Sequence, residues 1–388
     1  MDMTLSKGAI RVYETLERAG FRADVVGGSV RDFLLGLSPN DFDMTTSATP
    51  DEMLSVLSEF RLIQTGVKHG TVTVIADGES IEVTTYRTDG GYLDHRHPDK
   101  VTFTKELKDD LARRDFTVNA MCYHPVYGFT DAFGGREDLK NRVIRCVGEP
   151  ALRFSEDALR ILRALRFASA LGFSVEEKTA KAIHKLYPLL RDVSAERVYA
   201  EWRKLLSGQN AVAVLSEFSD VTAFLFPGAE FSLPTAFASN DFRLCTLQLL
   251  WQDPNRAAHF EEMAKRLKTE KSFLDYGVSI LSQQNAERNL RRGEYLRLCH
   301  TLGVENTKDF LFLCDLSDGE NRTEIFEKII AENPVTKISD LRLNGNDLQK
   351  AGYKGVAIGR LLEGALYAVM DGKVENEKSS LLEYIQSI

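Results

Sequence analysis

Ala23-Asp24-Val25-Val26-Gly27-Gly28-Ser29-Val30-Arg31-Asp32, with Asp41-Phe42-Asp43-Met44-Thr45 a short way downstream, is the stretch on which the fold turns. A short apolar run entering Gly-Gly reads as a strand, and Ser29 to Leu37 beyond it read as a helix. Glycines at such a turn let backbone N–H groups approach an anion, and the helix N-terminus adds positive potential. A plain turn explains Gly27-Gly28 as well, because the segment is neither a Gly-Lys-Ser/Thr phosphate loop nor a G-x-G-x-x-G fingerprint. In Asp41-x-Asp43, residues i and i+2 of a strand point to one face, so two carboxylates converge while Phe42 turns away. Side by side they repel unless a cation sits between them, and oxygen ligands suit Mg²⁺. Glu82, on a later strand, is a candidate third donor. A solvated strand face is the competing reading.

Outward from this stretch the pattern is mixed. Upstream, Ile10, Tyr13, Leu16 and Ala19 fall at helical spacing, with Gly20 as the stop. Downstream, Thr49-Pro50-Asp51-Glu52 is a helix start, with Thr as N-cap and Pro in the first position. Thr71 to Ile75 and Ile81 to Tyr86 read as two strands joined by a hairpin at Asp77-Gly78. The spacing predicts an α+β head with a small, mixed, largely antiparallel sheet. From about Lys140, where Leu159, Leu162, Leu165 and Phe167 begin a run of helical patterns, the remainder is expected to be all-α. Pro227-Gly228, Pro234 and Pro254 break that half into short helices. The expected division is a catalytic head (1–139), a helical neck (140–206), a body (207–270) and a tail (271–388).

The 388 residues carry 49 Lys+Arg and 57 Asp+Glu, a formal charge of −8, with 43% hydrophobic residues. Those values describe an ordinary globular chain and exclude a wholly basic nucleic-acid coat. The five cysteines form no C-x-x-C pair, which argues against a zinc site or a disulfide framework. No apolar h-region opens the chain, and the longest uncharged run, Phe116 to Thr130, contains Asn119, His124, Pro125 and Gly128. A soluble, cytoplasmic protein is expected.

Two further clusters bear on chemistry. Arg113-Arg114-Asp115-Phe116-Thr117-Val118-Asn119 puts two guanidiniums, able to hold a triphosphate, beside a carboxylate that can accept from a ribose hydroxyl. A salt-bridged helix start explains it equally well. Glu156-Asp157-Ala158-Leu159-Arg160 reads as helical, with Asp157 and Arg160 on one face and able to point at one ligand. An intrahelical ion pair is the plainer alternative.

Taken in order, Gly27–Asp32 (GGSVRD), Asp41–Asp43 (DFD), Arg113–Ala120 (RRDFTVNA) and Arg153–Phe167 (RFSEDALRILRALRF) resemble the motifs of the class II tRNA nucleotidyltransferase and bacterial poly(A) polymerase family. The resemblance extends to Asp131 to Gly135, Glu196 to Leu206, and Leu343 to Leu348, and is closest over residues 24–206. It implies a polymerase-β-type head in which Asp41 and Asp43 bind Mg²⁺; Glu82, read from its strand, is the candidate third catalytic carboxylate. The resemblance likewise implies that Gly28, Ser29, Arg31, Arg113, Arg114, Asp115, Asn119 and Arg163 line the nucleotide site, and that Asp157 and Arg160 read the incoming base. The chemistry is consistent. Cytosine and adenine each offer an exocyclic amine beside a ring acceptor, complementary to a carboxylate next to a guanidinium. Uracil and guanine present the reverse pattern, and a buried mismatch costs about 1–3 kcal/mol per unpaired group.

Within the family, addition of CCA to tRNA from CTP and ATP is the leading expectation. Partial (CC or A) addition and poly(A) tailing are the alternatives, a non-catalytic RNA-binding relative a distant one. A small-molecule nucleotidyltransferase would need neither the helical half nor the Asp157/Arg160 pair. The resemblance implies that a loop after the sheet assists the change from C to A; Arg87 to Pro98, with Gly90-Gly91 as hinges, has full length. The C-terminal tail is neither long nor Lys/Arg-rich, which disfavours poly(A) tailing. tRNA is expected along the helical half, read by shape through phosphate and 2′-hydroxyl groups, with Arg288, Arg291, Arg292, Arg297 and Lys354 as candidate contacts. Neither DNA nor a membrane is an expected partner. Residues 140–206 hold 14 Lys+Arg and 8 Asp+Glu, a local +6, which leaves −14 on the rest. Positive charge is gathered in the segment expected to meet nucleotide and RNA.

Overall fold

The computed structural model describes residues 2–39, 41–90, 101–284 and 289–388. The chain divides into two compact units. The first is residues 1–227 with 235–242, and the second is 228–234 with 243–388.

The first unit opens with helix α1 (Lys7–Arg18), followed by β1 (Ala23–Val26), α2 (Gly28–Leu34), β2 (Asp43–Thr46) and α3 (Pro50–Val56). Next come β3 (Arg61–Ile63), β4 (Thr71–Ala76), β5 (Glu79–Thr85) and a small hairpin, β6 (Arg87–Asp89) with β7 (Val101–Phe103). Helix α4 (Leu107–Ala112), β8 (Met121–His124), β9 (Gly128–Asp131) and α5 (Gly135–Asn141) complete the head. Seven strands form one sheet in the order β3-β4-β5-β2-β1-β8-β9. Only β2 and β5 run parallel, so the expected largely antiparallel sheet is present.

Local chemistry explains these elements. Thr49 and Glu52 form a capping box at the start of α3, with Pro50 at the first helical position. At the β4–β5 turn Asp77 and Gly78 both take positive φ, +50° and +81°, the geometry that a two-residue hairpin requires. Burial alternates along β4 and β5: Val72, Val74, Ile81 and Val83 are buried, and Glu82 is exposed. Each such Val or Ile stabilises the fold by about 1.5–3 kcal/mol. Helices α1 and α3 pack on these strands, and α1 comes so close that a Cβ on Gly8 would stand 2.5 Å from the Ala76 carbonyl oxygen.

Four expectations are corrected. The buried stripe of α1 is Gly8, Ala9, Val12 and Leu16, whereas Ile10 is 40% exposed; Gly8 and Ala9 win the interface because only small residues fit so near the sheet. Helix α2 ends at Leu34, short of Leu37. Strand β2 begins at Asp43, so Asp41 lies just outside it. The neck is not all-α either: β10 (Val143–Ile144) and β11 (Ser174–Val175) form a short parallel pair, a tertiary pairing that two residues cannot announce in sequence. Around it lie α6 (Pro150–Glu156), α7 (Leu159–Leu171), α8 (Glu177–Leu186) and α9 (Ala195–Leu206), with α7 packed on α9, followed by α10 (Ala211–Glu217) and α11 (Ser219–Leu225).

Among its described residues the second unit has helices and no strand, the last helix being Lys378–Gln386. Buried Phe260, Phe310 and Phe326 form much of its core. Arg322 is only 1% exposed and is held by Asp315 and Asp318. All five cysteines are buried, and none forms a disulfide.

Candidate active site

Asp43 is the first residue of β2, and the parallel register sets it opposite Glu82 on β5. Both belong to the face that α1 and α3 leave open. Loss of hydration, then the neighbouring Asp41 and Glu82 carboxylates, push the Asp43 carboxyl up to about 6, with Arg114 pulling the other way. Like charges held together without neutralisation raise each other's proton affinity, and this donor set suits a hard divalent cation. Among the described residues no three acidic, His or Cys groups form a ready-made metal cage. A Mg²⁺ ion commonly takes one or two carboxylates and completes its shell with water and substrate phosphate, so the residues fit that ion.

The Gly-Gly turn forms the neighbouring wall. Gly27 has φ +79°, and a Cβ there would lie 3.3 Å from Arg114 Nη1. A side chain at Gly28 would meet Arg31 Nη2 at 3.6 Å. Arg114 Nε is buried and donates to nothing. A spare guanidinium donor beside a glycine turn and Asp43 is a place for a phosphate oxygen. Ser29 is buried, with its hydroxyl donating back to the Val26 carbonyl at 3.3 Å, which leaves nucleotide contact at that position to the backbone.

Arg31, Asn119, Asp115 and Arg163 form one chain of hydrogen bonds. Arg31 Nη1 donates to Asn119 Oδ1 (2.8 Å), and Asn119 Nδ2 donates to Asp115 Oδ1 (3.2 Å). Arg163 donates twice to Asp115 Oδ2 (2.8 and 2.5 Å), and the Phe116 N–H fills Oδ1 (2.8 Å). Burial alone would raise the Asp115 carboxyl, but Arg163 and Asn119 overcome it and hold the group at about 2. All four acceptor positions of this carboxylate are in use, so a ribose hydroxyl reaches it only by displacing one of them.

Asp157 is not helical. Helix α6 ends at Glu156, and Asp157 takes extended φ/ψ of −140° and 103° before α7 begins. Its Oδ1 accepts the Leu159 N–H (3.0 Å), and its Oδ2 accepts Arg197 Nη2 of α9 (2.8 Å). The Arg160 guanidinium donates to Glu156 Oε2 (2.6 Å) and to the Arg113 carbonyl (3.0 Å). The ion pairs run Arg160–Glu156 and Arg197–Asp157, in place of the intrahelical Asp157–Arg160 pair that helical spacing allows. Neither Arg197 nor Glu156 was among the expected site residues. Glu156 was legible as the residue four before Arg160, whereas Arg197 carried no local signal.

The remaining expectations concern the second unit and the loop. Arg291 pairs with Glu294, Arg292 with Glu332 and Arg297 with Asp371. Lys354 is exposed between Gly352 and Gly355, both at positive φ. Arg288 and most of the Arg87–Pro98 loop, from Gly91 onward, lie outside the described residues. Among the described residues no helix is long and apolar enough to cross a membrane.

A strand-borne carboxylate pair facing a glycine turn and an arginine with a donor to spare is the layout of a nucleotidyltransferase, and the chain is one. Residues 23–145 match the family model "Poly A polymerase head domain", residues 172–231 match "Probable RNA and SrmB-binding site of polymerase A", and residues 245–385 match domain 2 of tRNA nucleotidyltransferases. More narrowly, the chain belongs to the CCA-adding enzymes. It is 35% identical to the CCA-adding enzyme of Ligilactobacillus salivarius, over 97% of this chain and 95% of that one. The Limosilactobacillus reuteri enzyme is 36% identical with the same coverage. The Bacillus stearothermophilus CCA-adding enzyme, solved in complex with CTP, superposes with a TM-score of 0.82 at 32% identity, over 98% of this chain and 96% of that one. The Thermotoga maritima CCA-adding enzyme complexed with tRNA shares the fold, with a TM-score of 0.69 at 21% identity, over 99% and 96% of the two chains.

Proposed function

We propose that this chain binds CTP and ATP and completes the 3′ end of tRNA as C-C-A without a nucleic-acid template. Supporting this most directly is the placement of Asp157 and Arg160. Each is fixed by a partner outside the pair, and Arg160 is bonded to the Arg113 carbonyl of the Arg113-Arg114-Asp115 motif. A base presented there meets an acceptor and a donor in fixed places, matching cytosine and adenine and opposing uracil and guanine. Discrimination then resides in the protein.

In the reaction, the RNA 3′-hydroxyl oxygen bonds to the α-phosphorus, the α–β bridging P–O bond breaks, and pyrophosphate leaves while the hydroxyl proton passes to solvent. Arg113 and Arg114 hold the triphosphate, with the Gly27-Gly28 turn allowing Arg114 to stand close. Asp41 and Asp43, with Glu82 beside them, would hold Mg²⁺, which when bound supplies charge neutralisation and activation of the hydroxyl as in two-metal phosphoryl transfer. Asn119 and Asp115 orient Arg31 and Arg163 through their hydrogen bonds. The head (1–139) performs the chemistry, the neck (140–206) chooses the base, and the body (207–270) and tail (271–388) hold the RNA. The cytoplasm, where tRNA is processed, is the compartment this activity implies.

Transcripts ending at the discriminator base, at CC and at CCA, incubated with CTP, ATP or both, test the reading. The first is expected to be completed only with both nucleotides, the second with ATP alone, and the third not at all. A ladder of adenylates from ATP alone would identify a poly(A) polymerase instead.

A further inference from the structure

Asp110 lies outside every motif that points to the function, yet its carboxylate joins two parts of the site. It sits on α4, entirely buried. Its Oδ1 accepts Arg113 Nε at 2.9 Å. Its Oδ2 accepts Arg114 Nη2 at 3.3 Å and faces the Thr45 hydroxyl at 3.1 Å. Thr45 belongs to β2, two residues beyond Asp43 and on the same face, and its hydroxyl also stands 3.2 Å from the Thr84 carbonyl of β5. A single side chain thus touches both arginines of the Arg113-Arg114-Asp115 motif and the strand that presents Asp43.

We propose that Asp110 is a positioning residue: by clamping Arg113 and Arg114 to Thr45, it sets where the triphosphate stands relative to the carboxylates at the end of β2. An arginine side chain has many rotamers, and in-line displacement tolerates little error in the position of the α-phosphorus. Arg114 has one wall in Gly27 and the other in Asp110, and its free Nε donor marks the direction left for a ligand. Removing the Asp110 charge would leave the arginines no less attractive to a triphosphate, since a competing anion is lost. What would be lost is their fixed distance from β2. The clamp acts on alignment rather than on ground-state affinity. It rests on the assignment of Arg113 and Arg114 to the triphosphate.

The test uses the full-length enzyme with a tRNA transcript lacking CCA. Asp110→Asn is expected to lower kcat for CTP and ATP alike by ten- to a hundredfold. The equilibrium affinity for CTP should change less than threefold and the choice between the two nucleotides should be unchanged. Asp110→Glu should recover part of kcat. Thr45→Val, which removes only the hydroxyl, should lower kcat three- to tenfold with CTP affinity again held, and it decides the matter if Asp110→Asn does not fold. Unchanged kcat in either folded variant overturns the proposal, as does a fall in CTP affinity matching the fall in kcat. Arg114→Gln, assayed in parallel, separates this from the reading beneath it. If that variant keeps both CTP affinity and kcat, the arginine assignment itself has failed.

Discussion

At the scale of single residues, most charges of the site are held by a partner of opposite sign. Asp43 is instead crowded by Asp41 and Glu82, with Arg114 against them. Asp41→Asn combined with Asp43→Asn is expected to reduce incorporation of both nucleotides by more than about a thousandfold, given the scale on which metal and electrostatic terms act. tRNA affinity, measured by filter binding, should stay within about threefold. On the proposed reading, Arg197 serves selectivity by holding Asp157. Arg197→Met is expected to let UTP or GTP be incorporated at a detectable rate while CTP turnover falls about tenfold or less, read by nucleotide competition, and Arg197→Lys should restore part of the choice. Asp115 supplies a pH dependence. Its folded value of about 2 lies below the ordinary carboxylate value near 4, so its ionised form stabilises the native state. That contribution is complete above about pH 4 and is lost as pH falls toward 2, and linkage places it at about 2–3 kcal/mol. Urea unfolding of the native protein and Asp115→Asn should differ by roughly that amount at pH 6 and converge as the solution is acidified.

Elements carry the next layer, and two glycine turns separate folding from function. Gly78 closes the β4–β5 hairpin at φ +81°, with no atom near where its Cβ would go. Gly78→Ala is expected to cost about 1–2 kcal/mol of stability, the penalty of a left-handed conformation for an L-residue, while nucleotide incorporation at a permissive temperature is unchanged. Gly27 has nearly the same φ, +79°, but its Cβ would press on Arg114 at 3.3 Å. Gly27→Ala should incur the same strain and also lose CTP affinity, measured by equilibrium binding. The alternation in β4 and β5, the Asp77-Gly78 turn and the Thr49–Glu52 cap were all legible, because each depends on neighbours within a few residues. The break between α6 and α7 was not. Glu156 through Arg160 has ordinary helix-forming residues, and only the cap of Asp157 on the Leu159 N–H and its bond to Arg197 show why the chain opens there.

On the scale of the whole molecule, charge is divided rather than spread. The +6 of residues 140–206 lies against −14 elsewhere, and Arg166, Arg203 and Lys204 line one cleft of the neck together with Phe242. RNA bound there through phosphates displaces counterions, so tRNA affinity should fall steeply with salt. Lys204→Gln is expected to weaken binding a few-fold and to flatten the log–log salt slope by about one if it meets one phosphate, as fluorescence titration across salt concentrations would measure. Base selectivity should not change.

The order of motifs along the chain, the antiparallel head, the metal-suited carboxylates and the helical remainder were all determined by sequence, because strand alternation, turn chemistry and charge spacing act over a few residues. Tertiary structure alone decided the distant partners of the site charges. Arg197 reaches Asp157 across 40 positions, and Arg160 reaches the Arg113 carbonyl across 47. Asp110 joins Thr45 across 65. Such pairs leave no trace in local pattern, since they exist only when the neck helices close against the head and exclude the water that would otherwise satisfy each charge separately. That exclusion turns a run of acidic and basic residues into the connected cluster on which the proposed nucleotide site is built.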